Sequence, residues 1–382
     1  MKVGLIGVGR LGICFALLLE EAGYEILASD VRESYVNKLQ RKEIDTHEPQ
    51  VPHLLKESEN FEATTSNERV IKECDVIYTL VATPSTPEGD YDVSAVWQVV
   101  EDIKSVENVD GKALVVGCTT NPGDCEKFQS ALKDYGVHVY YNPEFIAQGT
   151  IVSDLRYADM VLIGGEGPHV DKIQDIYRYI QVEAPEIFTM STTAAELVKL
   201  AVNCFLTTKI GYANMVGDVM SRSGMSDEIS TVLGAIGADT RVGKKYLKYG
   251  YGFGGPCLPR DNRAFAAHAS KVGLEFNLGS TTDSFNDEHA KFLVEYFCHK
   301  NVDDLPFYFD YVTYKKGTDI IEESQQLRLC EDLLKLGYKV YINEESFVVE
   351  QIHDRMMEKY PGKVTFVYDK KYITEPVFPI EF

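Results

Sequence analysis

The sequence lacks the features that mark membrane and nucleic-acid-binding proteins. No stretch of its 382 residues is long and apolar enough to span a bilayer. It has no excess of positive charge, because 59 acidic residues outnumber 38 basic ones and give a formal net charge of −21. This balance argues against nucleic acid or an anionic membrane surface as a partner. It does not exclude an anionic small molecule, which would need a local cluster of Lys, Arg and backbone N–H groups.

The chain also has no C-x-x-C pair and no dense disulfide pattern. Its eight cysteines are dispersed, which is typical of a reducing compartment. The apolar stretch in the first twenty residues is interrupted by Arg10 and by glycines and is followed by Glu20 and Glu21, so a strand, a turn and a helix explain it better than a signal peptide. We therefore expect a cytoplasmic protein.

The hydrophobic pattern divides the chain into three regions, and the length allows two or three domains. In the first region short apolar runs alternate with helical patterns, which predicts a parallel, doubly wound α/β sheet with strands at residues 1–7, 24–29, 76–81, 113–116, 137–140 and 160–163. A long helix is predicted over 193–220, and further helices follow to about 297. A second, smaller β–α–β unit is predicted from strands at 306–313 and 338–342 and a helix at 323–336. The predicted domains are residues 1–192, 193–299 and 300–382.

A G-x-G-x-x-G motif follows the first predicted strand and opens an apolar helix. It consists of Gly7, Val8, Gly9, Arg10, Leu11 and Gly12. Its glycines allow a tight turn, close approach of a pyrophosphate and close packing of helix and strand, while the helix N-terminus favours phosphate. Asp30 ends the next strand, where a carboxylate would accept hydrogen bonds from ribose hydroxyls and repel a 2′-phosphate. The pattern predicts NAD rather than NADP, although Arg32 nearby weakens that preference; the alternative is a turn with a packing role only.

The segment around Cys257 is the most unusual one in the second half of the chain. Four glycines at positions 250, 252, 254 and 255 precede this cysteine, and Arg260 and Asp261 follow it. Such a loop can wrap a ligand with N–H groups, and cationic neighbours can lower a thiol pKa, so that Cys257 becomes a nucleophile. A buried structural cysteine in a glycine-rich turn explains this segment equally well.

Other polar residues are candidates by their position. Lys199 and Asn203 are four residues apart on the predicted long helix, where they would jointly hold an oxyanion or form part of a solvent-facing stripe. Glu144 follows a predicted strand and is either a general base or a carboxylate that favours a helix start. Thr83 and Thr119 also follow strands, and ordinary turn or cap chemistry is the alternative for both.

Taken together, these motifs resemble the UDP-glucose/GDP-mannose dehydrogenase family. The resemblance extends from residue 1 to about residue 345, and the markers occur in the family order. They include GVGRLG at Gly7, CTTNPGD at Cys118, NPEFIAQGT at Asn142, AAELVKLAVNCFLTTKI at Ala194, GFGGPCLPRD at Gly252 and YKKGTDIIEES at Tyr314. The combination of Phe-Gly-Gly-x-Cys with the Glu-x-x-Lys-x-x-x-Asn helix is highly specific.

The resemblance implies a four-electron oxidation in which two hydrides pass to two NAD molecules. Cys257 would form a thiohemiacetal and then a thioester, and Lys199 and Asn203 would stabilise the oxyanion. Asp261 would assist proton transfer, and Glu144 would be the base for thioester hydrolysis. Further cofactor contacts are implied for Thr83, Thr119, Gln148 and Arg260.

The resemblance also implies a nucleotide-sugar substrate and a homodimer. Arg241 would reach into the neighbouring subunit's site, and the dimer would be built on the long central helix. Substrate contacts are expected from Glu144, Phe145, Lys199, Asn203, Tyr246, Leu247, Lys248, Tyr249, Gly250, Phe253, Gly254, Tyr314 and Lys315.

Several positions depart from the family pattern. Gln148 replaces a glutamate, Arg260 replaces a lysine, and Glu322 stands in place of an arginine that meets the cofactor. Tyr311 occupies the place of a glycine on the nucleotide side of a strand. The leading hypothesis is a UDP-glucose 6-dehydrogenase. The alternatives are another nucleotide-sugar dehydrogenase such as one for GDP-mannose, a two-electron hydroxyacid-type dehydrogenase, and a binding relative that lacks turnover.

Overall fold

The chain forms two compact units, residues 1–200 and 201–382, in a computed structural model that describes all 382 residues. One long helix, α9 (Thr192–Arg222), contributes residues to both units. The predicted boundary between residues 192 and 193 falls at the start of this helix, and the three-domain division remains a prediction. None of the helices combines the length and the hydropathy needed to cross a membrane.

The first unit contains eight strands and the helices that cover them. The strands are β1 (Lys2–Ile6), β2 (Glu25–Ser29), β3 (Phe61–Thr64), β4 (Val76–Thr79), β5 (Ala113–Val116), β6 (His138–Tyr141), β7 (Met160–Gly164) and β8 (Glu186–Met190). The helices before α9 are α1 (Arg10–Glu21), α2 (Glu33–Gln40), α3 (Val51–Glu57), α4 (Asn67–Glu73), α5 (Ser94–Ser105), α6 (Asp124–Leu132), α7 (Ile151–Arg156) and α8 (Val170–Ile180).

These eight strands form one sheet in the order β3-β2-β1-β4-β5-β6-β7-β8. Neighbours from β3 to β6 are parallel, whereas β7 pairs antiparallel with β6 and parallel with β8. The sheet is covered on both faces, because Val76 and Tyr78 pack in one hydrophobic core while Ile77 between them packs in another. The predicted doubly wound α/β fold is thereby confirmed.

The second unit is helical at its start and ends in a smaller sheet. Its helices after α9 are α10 (Ile229–Ala238), α11 (Leu258–Lys271), α12 (Leu278–Lys300), α13 (Gln325–Lys335) and α14 (Ser346–Lys359). Its strands are β9 (Phe307–Phe309), β10 (Val340–Asn343), β11 (Val364–Val367) and β12 (Phe378–Pro379), which pair in parallel in the order β11-β10-β9-β12. This sheet confirms the predicted smaller α/β unit.

The strand predicted over 306–313 is wrong in length, because β9 ends at Phe309. The backbone N–H groups of Val312 and Thr313 donate to the carboxylate Oε1 of Glu344, at 2.9 and 3.0 Å, and not to a neighbouring strand. Val312 and Thr313 are nevertheless fully buried, so their apolar pattern imitates a strand. The sequence reading also missed the peripheral strands β3, β8, β11 and β12.

A buried carboxylate on α9 fixes the loop that precedes α6. Glu196 Oε1 accepts hydrogen bonds from the Thr120 hydroxyl at 2.8 Å and from the backbone N–H of Cys125 at 2.9 Å. Its Oε2 accepts from the backbone N–H of Gly123 at 2.6 Å. Glu196 is fully buried and thus serves as the N-terminal cap of α6, which otherwise has no side-chain cap.

Glu196→Gln is expected to lower the free energy of unfolding by about 1–3 kcal/mol. The side-chain NH₂ group of the glutamine would face a hydrogen-bond donor that is bonded to the Glu196 carboxylate in the wild type. The measurement is urea denaturation of wild type and variant. Glu107→Gln, at an exposed position, is the control. Equal midpoints for the two variants would show that the buried hydrogen bonds of Glu196 do not stabilise the fold.

Candidate functional site

The glycine turn after β1 has the geometry expected of a pyrophosphate site. Gly7 has a φ of +92°, and a Cβ at Gly12 would lie 2.3 Å from the carbonyl oxygen of Gly7, so neither position accepts a side chain. A Cβ at Gly9, by contrast, would meet no atom within 4 Å. Helix α1 starts directly after Gly9 without a side-chain cap. The space at Gly9 and the N–H groups of the helix start therefore suit a bound diphosphate.

Asp30 lies directly after β2 and is 7% exposed. Arg32 donates to both of its carboxylate oxygens, from Nε to Oδ1 and from a terminal guanidinium nitrogen to Oδ2, each at 2.8 Å. Burial raises the pKa of Asp30, but the hydrogen bonds and the charge of Arg32 outweigh it and leave the pKa below its usual value. Asp30 is therefore ionised at neutral pH. Its Oδ1 also accepts from the backbone N–H of Arg32 at 3.0 Å, so a ribose hydroxyl would bind at Oδ2, which has fewer bonds to Arg32.

The other predicted cofactor residues of the first unit lie at the same edge of the sheet. Thr83 is buried after β4, and Thr119 is half-buried after β5. Gln148 is half-buried beyond β6, and Arg10 is exposed at the start of α1. Because β2, β1, β4, β5 and β6 are parallel, their carboxyl ends meet at one edge, where α/β sheets bind ligands.

Glu144 also follows β6, and its carboxylate belongs to a buried network. Its Oε1 is hydrogen-bonded with the hydroxyl of Tyr177, which also donates to Oδ1 of Asn142 at 2.7 Å. The amide of Asn142 is oriented by the bond from its Nδ2 to the carbonyl oxygen of Leu162, at 2.9 Å. The Tyr177 hydroxyl has only one hydrogen for its two partners, Asn142 and Glu144. A proton on the Glu144 carboxyl group, donated to the hydroxyl oxygen, completes this network.

Burial raises the pKa of Glu144 to about 7, against the lowering effects of Tyr177 and Lys199. The Nζ of Lys199 donates to the backbone carbonyl oxygen of Glu144 at 2.9 Å and lies 4.8 Å from the centre of the Phe145 ring. It is not bonded to the carboxylate, so its charge offsets only part of the cost of burial. This pair therefore provides a cation beside a carboxyl group that titrates near neutral pH.

In the second unit Cys257 is the N-cap residue of α11 and is half-buried. No side chain caps this helix. The backbone N–H of Asp261 donates to the carbonyl oxygen of Cys257 at 2.9 Å, and the buried Asp261 carboxylate accepts a hydrogen bond from Nδ2 of Asn203. Arg260, half-buried in the same turn, donates from Nε to the carbonyl oxygen of Pro256. The cysteine thus lies at a helix N-terminus, a position that favours a thiolate.

The loop before Cys257 lines a cavity of about 980 Å³ in the second unit. Among the predicted substrate residues, Tyr246, Lys248, Tyr249 and Gly250 line it. The cavity is also lined by residues that sequence reasoning missed, namely Tyr308, Asp310, Asn343 and Lys370. Asp310 directly follows β9, and Asn343 ends β10. Their position at a strand end is the sequence signal that could have identified them.

The remaining predicted substrate residues lie elsewhere. Leu247 is buried and lines a second cavity of about 540 Å³. Phe253 is buried, and the Tyr314 ring lies against Gly255, where a Cβ would come within 2.4 Å of it. Gly254 approaches the carbonyl oxygen of Glu323, from which a Cβ would be 2.4 Å away. Neither Tyr314 nor Lys315 lines the larger cavity.

Arg241 is exposed and pairs with Asp239, to which its Nε donates at 3.0 Å. The structure thus brings the predicted cofactor residues of the first unit together at one edge of the sheet. In the second unit it brings together the turn at Cys257 and the glycine-rich loop that precedes it.

Known proteins of similar sequence agree on the family and differ in substrate. The chain is 32% identical to an uncharacterized protein of Methanocaldococcus jannaschii, over 69% of this chain but only 30% of that protein. It is 27% identical to the UDP-glucose 6-dehydrogenase of Rickettsia bellii, over 88% of this chain and 79% of that protein. It is equally 27% identical to the GDP-mannose 6-dehydrogenase of Pseudomonas aeruginosa, over 96% of this chain and 86% of that protein.

A solved structure supports the same assignment. A UDP-glucose dehydrogenase from the hyperthermophilic archaeon Pyrobaculum islandicum matches with a TM-score of 0.85 and 26% identity, over 97% of this chain and 87% of that chain. The NAD binding domain of the UDP-glucose/GDP-mannose dehydrogenase family matches residues 1–181, and the central domain of the family matches residues 193–288. The glycine turn is therefore part of an NAD-binding domain, and the chain belongs to the UDP-glucose/GDP-mannose dehydrogenase family of nucleotide-sugar dehydrogenases.

Proposed function

We propose that the protein oxidises the primary alcohol of UDP-glucose to the carboxylate of UDP-glucuronate, with Cys257 as a covalent nucleophile. The observation that carries this proposal is the position of Cys257 at the uncapped N-terminus of α11, with Asp261 in the first turn of this helix bonded to Asn203 on α9. The N–H groups of a helix start stabilise an anion, so they favour the thiolate over the thiol. A two-electron dehydrogenase would need no such cysteine.

The reaction removes four electrons from one carbon in two oxidations. The glycine turn and Asp30 would hold NAD, and two NAD molecules in succession would supply the hydride acceptor for the two oxidations. The alcohol first loses a hydride and a proton and becomes an aldehyde. The thiolate of Cys257 adds to the aldehyde carbon, and the oxygen takes up a proton to give a thiohemiacetal. This loses a second hydride and a proton to become a thioester, and water then adds to the acyl carbon and expels the thiolate.

Lys199 and Asn203 are proposed to stabilise the oxyanions that form in these steps. Each already has one partner, the carbonyl oxygen of Glu144 for Lys199 and the carboxylate of Asp261 for Asn203. An ammonium group has three donors and an amide has two, so both side chains retain a donor for substrate oxygen. Asp261 holds Asn203 in place and assists proton transfer.

Glu144 is proposed as the base that activates the hydrolytic water. A base is most effective when its pKa is close to the working pH, and burial raises the pKa of Glu144 to about 7. Thr119 lies at the same sheet edge and is proposed to order this water or the nicotinamide end of the cofactor, while Thr83 meets the cofactor ribose. Gln148 and Arg260 are proposed as further cofactor contacts.

The nucleotide part of the substrate is assigned to the cavity of about 980 Å³. Tyr246, Tyr249 and Tyr308 line this cavity and are proposed to pack against the base. Lys248 and Lys370 provide positive charge for a diphosphate, although Asp310, Asp369 and Glu381 line the same cavity. Tyr314 and Lys315 are proposed to meet the sugar side, because Tyr314 packs on the Cys257 loop at Gly255. The segment NPEFIAQGT favours UDP-glucose, and the relative named for GDP-mannose makes that sugar the second candidate.

We further propose a homodimer built on the central helix. Apolar side chains at spacings of seven, three and four residues are exposed along α9, at Phe205, Tyr212, Met215 and Val219. Such a stripe on one helix face is typical of a helix–helix interface. Arg241, 88% exposed in one protomer, would then be free to reach the partner's site.

Cys257→Ser is expected to abolish formation of UDP-glucuronate, because an alcohol at this position cannot supply a thioester. The measurement is the number of NADH molecules formed per UDP-glucose consumed, with two expected for the wild type. Cys298→Ser, at a half-buried cysteine on α12, is the control and should keep this ratio. Normal acid production by Cys257→Ser would contradict the covalent mechanism.

Glu144→Gln is expected to lower kcat by a factor of about 10²–10⁴, because the thioester would form but not be hydrolysed. Mass spectrometry of the variant after one turnover should show the acyl group on Cys257. In the wild type, kcat should rise as the pH is raised through about 7, since the base acts only when its pKa of about 7 is exceeded. A flat profile, or a variant without accumulated thioester, would remove Glu144 from this role.

A further inference from the structure

The small sheet of the second unit repeats the strand order of four strands of the large sheet. The order β11-β10-β9-β12 corresponds to β3-β2-β1-β4, and all neighbours are parallel in both sets. In each set the first strand, β1 or β9, lies between the second and the fourth. Ligands of open α/β sheets bind outside the carboxyl ends of the strands, at the point where the strand order reverses. The carboxyl end of β9 is therefore the expected position of a ligand site.

The cavity of about 980 Å³ lies at this edge of the small sheet. Each of the four strands contributes a lining residue at its carboxyl end, which together form the strand-end wall of the cavity. These residues are Asp310 after β9, Asn343 at the end of β10, Tyr368 after β11 and Ile380 after β12. The cavity thus has the position that a nucleotide takes on a sheet of this topology.

The strand-end wall of the cavity is acidic. Asp310, Asp369 and Glu381 lie at or just beyond the strand ends with one lysine, Lys370, whereas the other lining lysine, Lys248, belongs to the loop before Cys257. Like charges repel, so a diphosphate is disfavoured next to this wall. The ribose of a nucleotide carries hydroxyl groups and no charge, and it suits a wall of carboxylates better.

Two backbone N–H groups after β9 are bonded to a carboxylate and are not available to a phosphate. They are those of Val312 and Thr313, which donate to Oε1 of Glu344 at 2.9 and 3.0 Å. Glu344 directly follows β10, the place that Asp30 has after β2. Because this carboxylate is bonded to the backbone, Asp310 is the acidic group next to β9 that remains for a ligand.

Three side chains surround the carboxylate of Asp310. Its Oδ2 forms an ion pair with Lys316, and its Oδ1 lies 3.4 Å from the hydroxyl oxygen of Tyr308 and 3.4 Å from Nδ2 of Asn343. The hydrogen bond from Lys316 holds the pKa of Asp310 below its usual value, so the group is ionised at neutral pH. Both contacts at Oδ1 are long for hydrogen bonds, so this oxygen remains open to a shorter bond from a ligand hydroxyl.

We propose that Asp310 is a specificity-determining residue, which accepts a hydrogen bond from a ribose hydroxyl of the bound nucleotide. Asn343 lies beside it and provides a second polar side chain for the same pair of hydroxyls. The presence of a nucleotide in this cavity rests on the proposed function. The identity of the base does not affect the role of Asp310, because UDP and GDP have the same ribose.

The test compares a nucleotide with an analogue that lacks both ribose hydroxyls. The dissociation constants of UDP and 2′,3′-dideoxy-UDP are measured by isothermal titration calorimetry with the full chain. The wild type should bind UDP about tenfold or more tightly than the analogue, because the analogue leaves a charged acceptor without its donor. In Asp310→Ala this ratio should fall to about one, since the acceptor is absent. The same measurements with GDP and 2′,3′-dideoxy-GDP cover a purine nucleotide.

Asp369→Ala is the matched control, because it removes the same charge from the same cavity. The Asp369 carboxylate is paired with Lys371 at 2.7 Å and accepts from the backbone N–H of that residue at 3.0 Å, so the ratio should stay at the wild-type value. Asp310→Asn keeps the shape and one acceptor oxygen but loses the charge. Its ratio should lie between those of the wild type and Asp310→Ala.

Equal affinity of the wild type for each nucleotide and its dideoxy analogue would overturn the proposal. An unchanged ratio in Asp310→Ala, or an equal loss in Asp369→Ala, would also overturn it. If neither UDP nor GDP binds, the nucleotide assignment of the cavity fails, and the role of Asp310 fails with it. If the ribose preference depends on Asp310 but no nucleotide sugar yields NADH, the proposed oxidation fails while the role of Asp310 stands.

Discussion

The functional loops of both units depend on hydrogen bonds from one helix. Polar side chains along α9 bond to several other segments of the chain. The donors and acceptors are Glu196 for the loop before α6, Lys199 for Glu144, Asn203 for Asp261, Thr207 for Asn262, Asn214 for the loop at Gly250, and Asp218 for Tyr249 and His289. Most of these positions are three or four residues apart, which places them on one face of a helix. A buried polar face of this kind is costly unless every group has a partner, so the loops and the helix specify each other.

Two carboxylates at the same sheet edge show how burial and partners decide charge. Burial raises the pKa of Asp30 and of Glu144 alike. Arg32 bonds directly to both oxygens of Asp30 and reverses the effect there, whereas the ammonium group of Lys199 bonds to the backbone of Glu144 and leaves its carboxyl group next to neutral partners. Asp30 is therefore an anion at neutral pH, whereas Glu144 exchanges a proton near neutral pH, although both follow strands of the same sheet.

The parts that sequence reasoning predicted are those encoded by short stretches of chain. The glycine turn, the doubly wound sheet and the long helix follow from local spacing, and the structure confirms the fold they imply. Tyr177 and His289 could not be found in this way, because their partners are 33 and 71 residues away and no local pattern connects them. The strand predicted over 306–313 failed for a related reason, since Glu344, a distant side chain, takes the N–H groups that a strand would have offered. Buried apolar sequence indicates burial but not the partner of the backbone.

The continuity of α9 makes its length as important as its composition. Each residue of an α-helix turns the chain by about 100° and advances it by about 1.5 Å. Deletion of a single residue between Asn203 and Asn214 would therefore rotate Asn214 and Asp218 by about 100° relative to Asn203, while the apolar pattern would remain equally hydrophobic. The interval between Asn203, which bonds to Asp261, and the side chains that hold Tyr249 and Gly250 is thus fixed by helix geometry. A change in the length of α9 between these positions would disturb the Cys257 turn and the cavity loop together, whereas a substitution on α9 would disturb one contact at a time.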